Sequence, residues 1–424
     1  MGAQTSQKAR LEAAVFSGSG WTSFVGDRRR LIKKLDFDCE LHYLYGSRQA
    51  WLLPSLTQLN EESLANIFPV DVDVDLLSVR VLLARFQLQP EEIADCLLDL
   101  GLSPSDWDRQ LTPTEHRALR HQFLNPGPVQ DQVLAKAAAA RHLLKTYLQD
   151  VGVLSGQPMG LIDLGTGATL FHALSALCAN EKIRPPHGFY LGLRQGVKAS
   201  RFGMPEVYLQ DQRRNLGFTD AQGLVTMLET FCSADHGSVI GYRQVSKPSE
   251  LGQVSRVEPI FTEPQNQRVL GWGYDVVRET IYAVADRLLL NPELLNPEAT
   301  VCGACLDLFN VFWNHPTRTE SIAWGSFPME DGWGKEAVSI PLAMAYGWAD
   351  VAKRHHRRHW WHGAALGQSA MPMQWAFWVR IRVEGQLQAL KQQLQAEQKR
   401  RQEAIALAQS RSELAFHPSP PYRE

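Results

Sequence analysis

The sequence predicts an α/β fold made of Rossmann-like parallel-sheet pieces, with a helical insertion and a helical C-terminal region. Short apolar runs that are typical of buried strands occur at 41–45, 161–162 and 188–193. The second run is followed by Asp163, a turn with two glycines and a predicted helix, which is the order of an α/β unit. Prolines and a capping box indicate helices between the first two runs.

These patterns divide the chain into five parts. They are a partial α/β piece (1–56), a helical layer (57–150), a Rossmann-like α/β core (151–250), a mixed, mainly helical region (251–385), and a polar helix with a disordered tail (386–424).

In the first part, strands are expected at 23–27 and 41–45. Arg48 follows the second of these strands directly. Open α/β sheets bind ligands beyond the carboxyl ends of their strands, so Arg48 is a candidate ligand-binding residue. A solvated surface arginine is the alternative.

The central turn is the best candidate for a ligand site. Its strand delivers Asp163 to the edge of the sheet, and Gly165, Thr166 and Gly167 lead into a helix predicted to begin near Ala168. Glycines allow backbone N–H groups to approach a ligand, and a helix N-terminus favours a phosphate or carboxylate. An ordinary tight turn between a strand and a helix is the alternative.

Further candidates follow the next two predicted strands. Arg194, Lys198 and Arg201 are spaced by four and three residues, so on a helix they would share one face and could hold an anion. A solvated basic face remains the alternative. His236 precedes a strand expected at 238–242 and, with Asp163, is a candidate for acid–base catalysis.

Composition limits the classes of function. The 424-residue chain is 44% hydrophobic and 21% charged, with a net charge of -2, which is typical of a globular protein and argues against nucleic-acid binding. No apolar run approaches the ~18 residues of a transmembrane segment, and the N-terminus has no signal-peptide core. With its six scattered cysteines, the chain is expected to be cytoplasmic.

Two motifs of metal-ligand type occur in the C-terminal half. Cys302 and Cys305 form a single C-x-x-C pair, and His355 and His359 are one helical turn apart in the basic cluster His355–His362. Neither motif supplies four ligands, so we expect no metal, and we expect no resident cofactor. The cluster indicates a basic, amphipathic surface whose Trp360 and Trp361 could bury against a partner or make peripheral contact with a membrane.

Four short motifs agree in order and spacing with one bacterial family. They are Leu44–Arg48, Leu161–Gly167, Tyr190–Leu193 and Leu228–Tyr242. Together they resemble the region that follows the phosphatase-like domain in large proteins of the haloacid-dehalogenase superfamily, which are often encoded with glycosyltransferases in surface-polysaccharide loci. The resemblance covers residues 20 to 250 or so.

The resemblance implies a role in bacterial polysaccharide biosynthesis, with a phosphorylated sugar or sugar nucleotide as ligand and glycosyltransferases as partners. The ligand phosphate would contact the turn at 165–167 and Arg194, and Asp163 would accept a sugar hydroxyl. The sequence departs from the family at Gly26–Arg29, where the family has Ser-Arg-Asp-Gly, and it lacks the preceding phosphatase domain. Phosphate-ester hydrolysis by an aspartate nucleophile is therefore not expected.

Two other functions remain open. The run Leu161–Gly167 is also similar to the cofactor turn of S-adenosylmethionine-dependent methyltransferases. Such enzymes need an acidic residue after the next strand to hold the ribose, and Arg194 occupies that place. A non-catalytic scaffold with a decayed α/β core is the other alternative.

Overall fold

The computed structural model describes most of the chain. The described residues are 13–17, 40–65, 67–68, 77–165, 167–193, 203, 205–211, 221–249, 252–291, 298–331, 338–353, 360–380 and 382–383. The strand expected at 23–27, the histidines at 355–359 and the polar helix beginning at 386 lie outside these residues.

The central feature is a parallel sheet of five strands. The strands are β1 (Ala13–Ser17), β2 (Glu40–Leu44), β3 (Met159–Asp163), β4 (His187–Leu193) and β5 (Glu206–Asp211). Their order is β2-β1-β3-β4-β5, and every neighbouring pair is parallel. The predicted α/β class is confirmed, and the two α/β stretches of the sequence form one sheet. Because the order reverses between β1 and β3, their carboxyl ends form a topological switch point.

Helices follow the sheet strands and fill the regions between them. Their bounds are α1 (Arg48–Ser55), α2 (Glu61–Leu64), α3 (Val79–Ala84), α4 (Ala94–Asp99), α5 (Pro113–Leu124), α6 (Pro128–Asp150), α7 (Thr169–Asn180), α8 (Ala221–Phe231), α9 (Gln267–Trp272), α10 (Tyr274–Leu290), α11 (Glu298–Asn314), α12 (Arg318–Gly325), α13 (Trp348–Lys353) and α14 (His362–Gln368). A further helix, α15, spans 371–380. Within the described residues, no helix combines the length and apolar character needed to cross a membrane.

The sheet has a hydrophobic core on each face. Along β3 and β4, Leu161 and Tyr190 belong to the core shared with the helical layer, whereas Ile162 and Leu191 pack against the core of the C-terminal helices. Successive side chains of a strand point to opposite faces, so this alternation produces three layers. The apolar strands of a sheet covered on both faces are expected from the same arrangement.

A strand forms at the predicted stretch 238–242, but it belongs to a different sheet. The stretch at 238–242 does not join the central sheet, because it begins strand β6 (Val239–Ser249), which pairs in antiparallel fashion with β7 (Gly252–Phe261). A short connection makes local pairing entropically cheap, and Asn266 then starts α9 by accepting the N–H of Val269.

Strand β1 has no counterpart in the sequence prediction. Its residues are Ala13, Ala14, Val15, Phe16 and Ser17, of which the two alanines and the serine have little preference for strands. Pairing with both β2 and β3 stabilises it as a strand. Tertiary context overrides the local signal here.

A cluster of aromatic hydrogen bonds joins the loop after β2 to the hairpin and to α6. The Trp51 indole donates to the Tyr242 hydroxyl at 2.8 Å, and that hydroxyl donates to the Tyr45 carbonyl at 2.6 Å. The Tyr45 N–H donates to the Tyr147 hydroxyl at 3.0 Å, and the Tyr147 and Tyr242 rings stack 4.7 Å apart. A Cβ on Gly46 would lie 2.6 Å from the Trp51 ring, so glycine is required there. We call these four aromatic residues the tyrosine clamp.

Removing one hydroxyl of the tyrosine clamp tests its importance. Tyr242→Phe leaves the Trp51 indole N–H and the Tyr45 carbonyl without this partner, and both are enclosed by protein. We expect the free energy of unfolding to fall by about 1–3 kcal/mol, as measured by denaturant titration. Tyr208→Phe, at a half-exposed tyrosine of β5, is the matched control and should change it by less than about 0.5 kcal/mol. Equal losses in the two variants would contradict a special role for the clamp.

Candidate functional site

Asp163 ends β3 and shapes the turn that follows. The residue is only 7% exposed, and its Oδ1 accepts the N–H of Gly165 at 3.2 Å. The turn ends at Ala168, whose φ of 53° is left-handed, and α7 begins at the next residue as predicted. A left-handed alanine is uncommon and is retained here in a buried position. The carboxylate therefore holds the glycine turn against the end of the sheet.

Glu229 is the unexpected member of the site. It lies on α8, where residues 223–228 and Thr230 are all buried, yet its own side chain is exposed. The carboxylate is nevertheless surrounded by protein, since burial is the largest cause of the change in its pKa. These two observations agree if Glu229 faces a narrow recess that water can enter.

The charges of Arg48 and Asp163 shift the pKa of Glu229 in opposite directions. Burial raises the pKa of Glu229 from 4.5 to about 7, Arg48 lowers it, and Asp163 raises it further. A carboxyl group that titrates near neutral pH can both hold and release a proton under physiological conditions. The three side chains are therefore close enough to form one electrostatic unit at the carboxyl edge of the sheet.

Asp163 has its own partners within this unit. Burial raises its pKa, while the N–H of Gly165, the hydroxyl of Tyr190 and the N–H of Leu164 lower it. The Tyr190 hydroxyl faces the carboxylate but does not meet strict hydrogen-bond geometry, so we treat this contact as electrostatic. Burial, followed by the Asp163 charge, places the pKa of Tyr190 well above 10.0. Tyr190 is therefore a neutral hydroxyl beside Asp163.

Arg48 is positioned by the start of α1. Ser47 caps this helix by accepting the N–H of Ala50 at 3.0 Å, and its hydroxyl donates to the Val239 carbonyl at 2.5 Å. Arg48 is the first helical residue and is exposed. Burial, and then repulsion by Arg48, lowers the pKa of the nearby Arg85 to about 10. Arg48 is therefore close enough to the buried Arg85 for their charges to interact.

His236 lies beside the carboxyl end of β2. Its ring is 5.5 Å from Tyr45 and 4.6 Å from Phe261, and it is only 7% exposed. The Nδ1 donates to the Gly237 carbonyl at 2.7 Å, and burial lowers the pKa of the imidazole. The imidazole therefore lies beside the aromatic side chains at the end of β2, and its meeting with Asp163 remains a prediction.

The remaining residues selected from the sequence lie in the glycine turn, on other elements or outside the described residues. Gly165 and Gly167 lie in the turn, as expected, while Thr166, Arg194, Lys198 and Arg201 lie outside the described residues. The predicted meeting of Arg194 with Asp163 thus remains a prediction. Cys302 and Cys305 lie on α11, and the Cys302 thiol contacts the Tyr208 carbonyl at 3.5 Å. The described part of the chain holds no cluster of three or more potential metal ligands.

The sequence analysis did not select Glu229, although one signal was present. It is the single charged residue of α8, in the otherwise apolar and neutral run Ala221–Phe231. A lone carboxylate in a buried helix is costly unless it is paired, hydrogen-bonded or open to water. The four motifs that carry the resemblance meet through these contacts, at the ends of β2, β3 and β4 and at the start of β6.

Searches against protein-family models and against curated proteins found no match to this chain. Its function is therefore argued from the site itself.

The raised pKa of Glu229 has a consequence for stability. Below pH 4.5 the folded and unfolded chains are both protonated, whereas between 4.5 and about 7 only the unfolded chain loses the proton. The free energy of unfolding of the wild-type protein should therefore fall as the pH rises from 4.5 to about 7. Above about pH 7 the titration of Glu229 should cause no further decrease. Glu229→Gln lacks the titration, so its stability relative to wild type should increase from pH 4.5 to 7. A difference between the two proteins that is independent of pH would contradict the raised pKa.

Substituting the two charged neighbours of Glu229 provides a second test, because the two changes should shift the pKa of Glu229 in opposite directions. Arg48→Met removes a cation, so the pKa of Glu229 should rise above about 7. Asp163→Asn removes a negative charge but keeps the oxygen that accepts the Gly165 N–H, so the pKa should fall. Carbon-detected NMR of the Glu229 carboxyl, assigned with Glu229→Gln, measures both. Shifts in the same direction would mean that the three residues do not form one unit.

Proposed function

We propose that this protein binds a phosphorylated sugar or a sugar nucleotide at the switch point of its sheet and acts in the cytoplasmic biosynthesis of bacterial surface polysaccharide, with glycosyltransferases as its partners. One observation carries the proposal. Glu229 is exposed on an otherwise buried helix, and its carboxyl group interacts electrostatically with both Arg48 and Asp163.

The mixed charges suit such a ligand. Arg48, whose charge interacts with that of the buried Arg85, supplies positive potential for a phosphate, and guanidinium groups bind phosphate through paired hydrogen bonds. Sugar hydroxyls are donors that carboxylates accept, which gives Glu229 a role toward the sugar ring. The carboxyl edge of an open α/β sheet is also where ligands of this size bind.

Glu229 is the residue best suited to proton transfer. With a pKa of about 7 it is present in both protonation states near neutral pH. It can take a proton from a sugar hydroxyl or return one to a departing oxygen. Asp163 would influence Glu229 through its charge, while its own hydrogen bond maintains the glycine turn. Under this proposal Asp163 is a positioning residue.

S-adenosylmethionine is the second candidate ligand, favoured by the presence of two carboxylates near the glycine turn. A sulfonium is positively charged and would interact with them favourably. Arg48 opposes this, and β4 ends at Leu193, which offers no acceptor for a ribose hydroxyl. Among the described residues, Asp211 is a carboxylate at the end of a strand, but its strand is β5, which β4 separates from β3.

Calorimetry separates these functions. We expect a UDP-sugar or a sugar 1-phosphate to bind the wild-type protein and Arg48→Met to weaken that binding by about 1.5–3 kcal/mol, the scale of a hydrogen bond to a charged group. Arg117→Met removes an exposed arginine of α5 as the matched control and should leave affinity unchanged.

The opposite pattern would favour the methyltransferase. In that case S-adenosylmethionine binds, Glu229→Gln weakens it, and Arg48→Met leaves it equal or tighter. If neither ligand class binds the folded wild-type protein, the ligand assignment is wrong and the scaffold alternative is favoured.

A further inference from the structure

Helix α15 exposes aromatic side chains on the face that points away from the core. Met373 and Phe377 are buried, and Phe377 stacks 4.3 Å from Tyr346. Residues 371, 375 and 378 lie on the opposite face, since successive residues of a helix turn by about 100°. Met371 is 75% exposed, Trp375 69% and Trp378 56%.

The preceding loop carries two further exposed apolar side chains. Tyr346 contacts the inner face of α15, and its neighbours Met344 and Trp348 are exposed. Met371, Trp375 and Trp378, which share the outer face of α15, are called the aromatic surface. Exposed large apolar groups in this number indicate a binding surface, because single exposed apolar residues are common but groups are not.

Positive charge accompanies the aromatic surface. Arg382 lies over the Trp378 ring, 5.1 Å from its centroid. In the sequence from 345 to 383 there are six basic residues against the single acid Asp350, although the whole chain has a net charge of -2. The same segment contains five of the 12 tryptophans. Basic charge and tryptophan are therefore concentrated together.

We propose that the aromatic surface binds the surface of an anionic lipid bilayer. Tryptophan favours the interface between headgroups and acyl chains, where its apolar ring and its N–H are both satisfied. Basic side chains beside it are attracted by anionic headgroups. A soluble acidic partner would match the charge but would not require two exposed tryptophans on one helix face.

The sequence analysis expected membrane contact at Trp360 and Trp361. The proposal places it instead on the exposed side chains of α15. Trp361 cannot take part, since it is fully buried and its indole donates to the Trp313 carbonyl at 2.7 Å. It stacks on Trp313 with their centroids 5.4 Å apart. The tryptophan that precedes α14 is therefore part of the core, and the exposed rings are those of Trp348 and α15.

Vesicle co-sedimentation with the full chain tests the proposal. We expect binding to vesicles that contain phosphatidylserine and phosphatidylcholine, little binding to phosphatidylcholine alone, and weaker binding as salt increases. Trp375→Ser with Trp378→Ser should weaken binding to the anionic vesicles by at least about tenfold. Arg382→Glu should weaken it as well and reduce its dependence on salt.

Leu308→Ser is the matched control. Leu308 is 72% exposed on α11, outside the aromatic surface, and its replacement should leave vesicle binding unchanged. Circular dichroism of each variant establishes that it is folded. The proposal is overturned if wild type does not bind anionic vesicles, or if the two tryptophan changes have no larger effect than Leu308→Ser. It is also overturned if analytical ultracentrifugation finds a dimer that the tryptophan changes dissociate, since the surface would then join two copies of the chain.

Discussion

The tyrosine clamp is the interaction on which the candidate site depends. Its hydrogen bonds satisfy both backbone groups of Tyr45, the residue directly after β2, with hydroxyls supplied by α6 and β6. Burial raises the pKa of Tyr147 and Tyr242, so both hydroxyls stay protonated, Tyr147 accepting the Tyr45 N–H and Tyr242 donating to the Tyr45 carbonyl. Buried polar networks are strong only when every member has a partner. Because Arg48 follows three residues later, the clamp also decides where the first cation of the site lies.

At the carboxyl edge of the sheet, two carboxylates that suit the proposed function also reduce the stability of the fold. Burial opposes the ionisation of both Asp163 and Glu229, so each carboxylate lowers the stability of the fold at neutral pH unless it is compensated. Asp163 is compensated by hydrogen bonds from its own turn. Glu229 is compensated by Arg48 and by access to water. An acid without internal hydrogen bonds is available to a ligand, which is why the site is centred on Glu229.

Some elements of the structure were predicted from the sequence and others were not. The strand at 159–163, its glycine turn and the helix after it were predicted within a residue or two, because apolar runs and glycines act locally. Strand β1 and the β6–β7 hairpin were not, because β1 is stabilised by its two neighbours and β6 has an apolar start like that of a core strand. Of the site, Asp163 and Arg48 were selected from their places after strands. Glu229 was not, since its helix carries no motif for chemistry.

The sequence by itself determined the fold class, the glycine turn behind Asp163 and the concentration of tryptophan and basic charge near the C-terminus. These properties depend on periodicity and composition, which act over a few residues. Only the tertiary structure decided that Arg48, Asp163 and Glu229 share one site, that His236 lies over β2, and that Trp361 is buried while Trp375 is exposed. Those outcomes depend on strand order and on which helix face meets the core, and both result from contacts between residues far apart in the chain.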